Sequence, residues 1–149
     1  MNFGSSFGIS ASALTAQRLR MDVISSNVAN AETTRASVVD GKAVPYRRKL
    51  VVMEATESNK FSNILNSKMN GSSSEGVKVQ SIIEDDSPLK PVYNPSHPDA
   101  DAEGYVYMPN VDITKEMVDM LSASRSYEAN VTMLNASKAM VSKALEIGR

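Results

Sequence analysis

The sequence predicts an α+β protein with long N- and C-terminal helices that pack as a coiled-coil-like pair, and with a small β-rich domain between them in the chain. Two apolar seams with alternating three- and four-residue spacing, one at each end of the 149-residue chain, predict the helices. A middle segment rich in β-branched residues predicts the strands.

This change of pattern divides the chain into three parts. We expect an N-terminal helical arm over 1–34, a β-rich middle domain over 35–110 and a C-terminal helical arm over 111–149. A Ser-, Asn- and Gly-rich stretch at 58–76 is expected to be a flexible insertion between two strands, because such composition forms mobile linkers.

The N-terminal helix is predicted to run from near Ile9 to near Asn30. Asn27, Asn30 and the two threonines that follow compete with the helix for backbone hydrogen bonds, so the helix should stop there. Its narrow seam is of the kind that packs against another helix. The apolar seam positions are Phe7, Leu14, Met21, Ile24, Val28 and Ala31.

The C-terminal helix is predicted to begin after Asp112, which is placed as an N-cap, and to end before Gly148, a C-cap residue. About 35 residues give a length of roughly 50 Å, and patterns this long suggest a coiled coil or a helical repeat. Eight of the ten seam positions are apolar. The seam runs through Ile113, Met117, Met120, Ser124, Tyr127, Val131, Leu134, Lys138, Val141 and Leu145.

The middle segment predicts strands over 44–54, 77–85 and 104–108, where β-branched and aromatic residues alternate in part with polar ones. The proline-rich segment 87–104 is expected to be an extended, stiffened loop, since proline fixes φ and restricts the residue before it.

The composition argues against most chemistry. The absence of Cys excludes disulfides, thiolate catalysis and Cys-based metal sites, and His97 is the only histidine. The segment "DADAEG" at 99–104 resembles the start of a calcium loop, but its twelfth position is Asn110 instead of a bidentate Glu. No glycine-rich phosphate loop is present. We therefore expect neither an enzyme nor a bound cofactor.

Charge and hydropathy exclude further classes. A net charge of -1 and a single small basic cluster, Lys42 with Arg47–Lys49, argue against a nucleic-acid partner. The longest apolar run, "LVVM", is far too short to span a membrane. The N-terminus lacks the basic and apolar regions of a cleavable secretory signal.

The two seams predict assembly. An apolar stripe left in water is rare in monomeric proteins, so the terminal helices should pack on each other. Apolar residues remain on their flanks, including Leu19, Val23, Leu121, Met133 and Met140, and these suit contacts with other subunits. One alternative is that both helices cap the β unit as ordinary amphipathic helices. Another is a soluble adaptor whose two helices pair with each other within one chain and whose proline-rich loop binds a partner.

Two stretches carry a family resemblance. "SALTAQRLRMDVISSNVANAETT" at 12–34 resembles the N-terminal signature of the flagellar axial proteins, the rod, hook and hook-junction subunits. The stretch 87–140, with the succession "HPDAD…GYV..PNV…EM", resembles the proximal rod subunits of that family. The short chain and "AETTRAS", in place of the Thr-Gly pair of larger members, favour the same subgroup.

The resemblance implies a structural subunit that assembles by helix packing into a hollow proximal rod and transmits motor torque. It implies synthesis in the cytoplasm, export through the flagellar type III channel without a cleaved signal, and a place in the basal body, where the rod crosses the periplasm. The implied partners are copies of the chain, other rod proteins, the export apparatus, and ring and hook–basal-body proteins.

The resemblance also implies roles for individual residues. Asn27 and Asn30 should serve the turn that ends the first helix. Arg125 and Glu128 are candidates for polar contacts between subunits, with simple solvent exposure as the alternative. The expected helix-packing and assembly residues are Leu14, Met21, Ile24, Val28, Met117, Met120, Tyr127, Val131, Leu134 and Val141.

Overall fold

A computed structural model describes residues 3–39, 42–56 and 76–147, and its architecture is α+β as predicted. Gly148 and the predicted insertion at 58–76, except for Gly76, lie outside the described residues. The elements in chain order are α1 (Phe3–Ala29), β1 (Ser37–Val39), β2 (Lys42–Val44), β3 (Lys49–Ala55), β4 (Val77–Glu84), β5 (Lys90–Tyr93), β6 (Tyr105–Met108) and α2 (Ile113–Ile147).

Helix α1 begins at Phe3, earlier than the seam predicted. Gly4 and Gly8 lie inside this helix. A glycine costs a helix only about 1 kcal/mol, so two glycines do not end a helix of 27 residues. The helix ends at Ala29, where the backbone N–H of Asn30 donates to the Ser26 carbonyl over 3.1 Å.

Helix α2 has the predicted start and length. The Asp112 carboxylate accepts hydrogen bonds from the backbone N–H groups of Thr114 at 3.0 Å and Lys115 at 3.4 Å, so Asp112 is the N-cap. The helix continues for 35 residues to Ile147.

The strands form three two-stranded antiparallel sheets, β1–β2, β3–β4 and β5–β6. Strands β1 and β5 lie where the sequence predicted none. Pro91 lies within β5 opposite Tyr107, because both strands of a two-stranded sheet are edge strands and tolerate a missing N–H. The predicted strand at 44–54 is interrupted at 45–48, where the backbone N–H of Tyr46 donates to the Thr33 carbonyl and that of Arg48 to the Asn110 side chain.

The terminal helices pack together, as predicted. The chain forms two compact units, and each contains a stretch of both helices. The first unit is Met1–Arg20, Val52–Ser81 and Ala123–Arg149; the second is Met21–Val51 and Ile82–Ser122. The division into two arms and a middle domain stays a prediction about organisation along the chain.

The core of the described residues is small. Seven hydrophobic side chains are buried, and two of them are alanines, so little apolar area is removed from water. They are Ala16, Val23, Ile24, Tyr46, Val106, Val111 and Ala123. Within the ranges described, neither helix is apolar enough to cross a bilayer.

Gly104 closes the loop between β5 and β6. Its φ is +82°, a left-handed conformation, and its N–H donates to the Asp101 carbonyl while its carbonyl accepts from Asn94 N–H. A Cβ at this position would lie 3.0 Å from the Tyr93 ring and 3.2 Å from Pro95 Cβ. Both the backbone and the space therefore require glycine.

We expect Gly104→Ala to lower the free energy of unfolding by about 1–2 kcal/mol, because a left-handed residue with a Cβ is strained. Gly8→Ala is the matched control: its Cβ would meet nothing within 4 Å on α1, and alanine favours helix. Urea denaturation of both variants provides the measurement. A Gly104→Ala protein as stable as the parent would contradict the strain.

Candidate assembly surface and its polar joint

The predicted seam residues differ in how far the single chain buries them. On α1, Ile24 is buried and the other three are half-buried. On α2, Met117 is 57% exposed, whereas the other five are half-buried. The half-buried residues are Leu14, Met21, Val28, Met120, Tyr127, Val131, Leu134 and Val141. Their role in an assembly interface remains a prediction.

The most buried positions of α2 are polar or small. Glu116, Ala123 and Ser137 are buried, and half-buried Asn130 completes a series with seven-residue spacing. This spacing keeps the four residues on one side of the helix. A search for apolar spacing selects their larger neighbours instead, so sequence reasoning missed Glu116 and Ser137 as buried positions.

Asn27 connects the end of α1 to β3. Its Nδ2 donates to the Lys49 carbonyl at 2.9 Å, and its Oδ1 accepts from the Lys49 N–H at 2.9 Å, so the side-chain amide pairs with Lys49 as a neighbouring strand would. The Tyr46 hydroxyl donates to the same Oδ1 at 3.0 Å. Asn27 is only 1% exposed, and these contacts leave one donor to satisfy.

Glu116 provides the remaining acceptor from α2. Its Oε2 accepts from Asn27 Nδ2 at 3.0 Å, and its Oε1 lies 2.6 Å from both Nε and Nη2 of Arg48. Like Asn27, Glu116 is 1% exposed. We call Asn27, Tyr46, Arg48 and Glu116 the polar joint, because they connect the end of α1, the start of β3 and the start of α2.

Two further carboxylates lie close to the Arg48 guanidinium. Asp119 lies 3.4 Å and Asp85 3.7 Å from its nitrogens. Hydrogen bonds from the Ser87 hydroxyl and backbone N–H lower the pKa of Asp85, and Arg48 adds to this shift. Arg48 is only 13% exposed, so these three acids supply much of the stabilisation that water would otherwise give its charge.

Asn30 and its neighbours shape the turn after α1. The Asn30 side chain donates to the Ser26 carbonyl at 2.8 Å, and the Thr33 hydroxyl lies 3.3 Å from Asn30 Oδ1. The Asn27 side chain, in contrast, points to the polar joint. Both asparagines therefore act at this end of α1, one locally and one over a long sequence separation.

Asp99 and Asp101, in the acidic segment at 99–104, form hydrogen bonds and an ion pair with other residues of the chain. Asp99 pairs with Arg35 and accepts from the Thr34 hydroxyl at 3.0 Å, while its N–H donates to His97 Nδ1 at 3.1 Å. Asp101 Oδ1 accepts from the N–H groups of Glu103 and Tyr105. In the described part of the chain, no group of three or more acidic or His side chains is arranged to hold a metal ion.

Arg125 and Glu128 form an exposed ion pair of 2.8 Å within α2. Their predicted contacts to other subunits remain a prediction, and in the single chain each is the partner of the other. An exposed pair of this kind contributes at most about 1 kcal/mol.

Helix α2 leaves many large apolar side chains exposed. Seven large apolar side chains on it are exposed, against one buried alanine. They are Ile113, Met117, Val118, Leu121, Met133, Met140 and Leu145. Two terminal helices joined by polar contacts, with apolar flanks left in water, define a subunit of a larger assembly.

Comparisons with known proteins identify the family. Residues 7–36 match the family model "Flagella basal body rod protein", and residues 102–147 match "Flagellar basal body rod FlgEFG protein C-terminal". Curated relatives named "Flagellar basal-body rod protein FlgC" are 61% identical in Bacillus subtilis, over 97% of both chains, and 46% identical in Escherichia coli O6:H1, over 96% of both. The relative from Borreliella burgdorferi is 45% identical over 99% of this chain and 98% of its own. The chain belongs to the FlgC family of flagellar basal-body rod proteins, which are structural subunits.

We expect Arg48→Met to lower the free energy of unfolding by about 3–5 kcal/mol, because it leaves Glu116 buried without its cation. The double variant Arg48→Met/Glu116→Leu should recover much of this loss, although Asn27 then lacks one acceptor. Arg125→Ala, which breaks an exposed pair, is the control and should cost less than about 1 kcal/mol. Urea denaturation of these three variants and of Glu116→Leu alone gives the free energies, and a loss in the double variant equal to the sum of the two single losses would refute the coupling.

A second prediction concerns the stability of the protein at low pH. A hydrogen bond from Arg35 lowers the pKa of Asp99 below its ordinary value of 3.8. The ionised form therefore stabilises the fold above that value, and this contribution is lost as the pH falls through the lower folded-state pKa. We expect Asp99→Asn to be less stable than the parent at neutral pH and to lose less stability on acidification below 3.8. The measurement is the free energy of unfolding as a function of pH. If it falls by the same amount in both proteins on acidification, Asp99 does not have this role.

Proposed function

We propose that the chain builds the proximal rod by packing its terminal helices against copies of itself and against other rod proteins. The observation that carries this proposal is the exposed apolar surface of α2, where Glu116, Ala123 and Ser137 are the only buried residues between 113 and 146. Hydrophobic area removed from water supplies roughly 25 cal/mol per Å², so covering these side chains would drive assembly. The proposed interface includes the predicted seam residues.

An unpaired polar atom on α1 also supports the proposal. Gln17 Oε1 is buried and accepts no hydrogen bond, the only such side-chain atom among the described residues. Buried polar atoms are nearly always paired, so a donor from a neighbouring subunit would complete this site.

The remaining parts of the proposal follow from membership of the family. The rod formed by these subunits lies in the basal body, crosses the periplasm and transmits motor torque. The chain is made in the cytoplasm and exported without a cleaved signal through the flagellar export apparatus. Its other proposed partners are the ring and hook–basal-body proteins.

This role requires no catalysis. His97 Nδ1 accepts the backbone N–H of Asp99, and Asp99 is paired with Arg35, so both side chains hold the loop in shape. The alternative adaptor would need its helices to cover each other's apolar residues within one chain. The exposure of Met117, Met133 and Met140 argues against it.

Met140→Asp tests the proposal. Met140 is exposed, so we expect the variant monomer to keep its helix content and stability. In an apolar interface a carboxylate costs several kcal/mol, and each 1.4 kcal/mol is tenfold in affinity, so incorporation into basal bodies should fall more than tenfold and motility should be lost.

Ser142→Asp, an exposed position two residues further along α2, is the matched control and should leave motility intact. Circular dichroism of the purified variants and immunoblots of isolated basal bodies provide the measurements. Normal incorporation of Met140→Asp would count against helix packing at this surface.

A further inference from the structure

Three of the five tyrosines of the chain lie on one exposed face of the β5–β6 sheet. Tyr93 is paired with Tyr105 and Pro91 with Tyr107, and residues paired across an antiparallel sheet project from the same face. Alternate residues of a strand share a face, so Tyr105 and Tyr107 project together, while Val106 between them projects to the opposite face and is buried. Tyr93 is 65%, Tyr105 39% and Tyr107 48% exposed. We call these three rings and Pro91 the tyrosine face.

The tyrosine face offers aromatic rings and hydroxyl groups. The rings of Tyr93 and Tyr105 meet edge to face with their centroids 5.4 Å apart, and Tyr107 follows two residues along β6. None of the three hydroxyls forms a hydrogen bond to another described residue. The backbone hydrogen-bonding groups of a sheet lie in its plane, so they do not point out of this face. A partner on the face therefore gains ring contacts and hydroxyl donors, but no ladder of backbone hydrogen bonds.

A groove begins at Tyr107 and continues beside the loop that joins β5 to β6. Its walls are the β1–β2 hairpin, with Val38 and Ala43, and the loop residues 98–103. Its volume is about 790 Å³, enough for several side chains of a partner. The walls and the tyrosine face all lie within the second compact unit. Because Tyr107 belongs to both, the face and the groove form one continuous surface.

The groove has a surplus of negative charge. Asp99 is paired with Arg35, so these two charges balance each other. Asp101 and Glu103 also line the groove and are exposed, and neither forms an ion pair with a described side chain. Apolar walls beside two unbalanced carboxylates suit a partner that is both apolar and positively charged.

We propose that this surface binds a basic, proline-rich segment of another protein in the polyproline II conformation. Such a segment has no internal hydrogen bonds and a solvated backbone, so it docks without a partner strand. Its proline rings pack on the tyrosine rings, and its carbonyls accept hydrogen bonds from the tyrosine hydroxyls. Its conformation is formed before binding, so docking costs it little entropy. This contact uses none of the apolar residues of α2, so it is independent of the helix packing proposed above.

Charge favours a peptide over a carbohydrate as the partner. A tyrosine ring covers the apolar side of a sugar as well as that of a proline. A neutral sugar, however, gains no Coulomb attraction from Asp101 and Glu103. An Arg or Lys beside the prolines pairs with these carboxylates and fixes the direction in which the segment lies. The segment therefore has at least one basic residue next to its prolines.

Titration of synthetic ligands into the purified chain tests the proposal. The probe is the peptide Arg-Pro-Leu-Pro-Pro-Arg-Pro-Leu-Pro, and the measurements are calorimetry and the NMR shifts of backbone amides. We expect saturable binding, with the largest shifts in β5, β6 and the loop 98–103. Two matched peptides, one with Glu in place of Arg and one with Ala in place of Pro, should each bind more than about tenfold more weakly.

Variants of the chain locate the contact. Tyr107→Leu keeps apolar bulk on β6 but removes the ring and the hydroxyl, so it should weaken binding more than about tenfold. Asp101→Asn with Glu103→Gln removes the charge, while Asn keeps an oxygen that accepts the loop N–H groups, so binding should weaken severalfold and depend less on salt. Val92→Thr, on the opposite face of β5, is the matched control and should bind as the parent does. Thermal unfolding checks that each variant is folded.

Four outcomes overturn the proposal. The first is no binding at millimolar peptide concentration, and the second is equal binding of either substituted peptide. The third is unchanged binding by Tyr107→Leu, which would place the peptide elsewhere. The fourth is tighter binding of a neutral N-acetylglucosamine oligomer than of the peptide on the same residues, which would make the surface a carbohydrate site. All of these measurements use the unassembled chain, so their failure leaves the rod function standing, which the Met140→Asp experiment tests.

Discussion

The hydrogen bonds of the Asn27 side chain are the interaction on which the fold depends. The amide nitrogen donates to the Lys49 carbonyl and to the Glu116 carboxylate. The amide oxygen accepts from the Lys49 N–H and from the Tyr46 hydroxyl. No other residue type of similar size could donate twice and accept twice in this geometry. Because Arg48 in turn neutralises Glu116, the loss of Arg48 leaves a buried carboxylate without its cation, and the loss of Glu116 leaves one Asn27 donor without an acceptor.

This arrangement assigns different tasks to polar and apolar residues. Polar contacts fix where α1, β3 and α2 meet, since hydrogen bonds require particular atoms at particular distances. Apolar residues such as Met117 and Leu121 are left on the surface, where they are available to bind other subunits. A chain that used its apolar residues for its own core would have little left with which to assemble.

The sequence alone predicted the outline of the fold and missed its joint. Periodic apolar residues such as Ile24 and Leu134 marked both helices, and Asp112 marked the start of α2, because these signals are local. Glu116 is an acid in the first turn of α2, a position where the helix dipole favours any acid, and Arg48 is one member of the small basic cluster. Their pairing joins residues 68 positions apart, and no local pattern reports such a contact. Strand β5 was missed because the prolines of 87–104 predicted an extended loop, and the sequence alone does not show that Pro91 lies on an edge strand, where a missing N–H is tolerated.

The separation between Asn27 and Glu116 has a consequence for how the chain folds during synthesis. Glu116 follows Asn27 by 89 residues, so the ribosome releases the whole of α1 and all six strands before the acceptor from α2 appears. Until then Asn27 lacks its acceptor on α2, and Arg48 lacks its closest carboxylate and has only Asp85 to pair with. Non-local contacts of this kind form late and slowly. The native joint can therefore form only after Glu116 has emerged, and a chain truncated before that residue cannot acquire it.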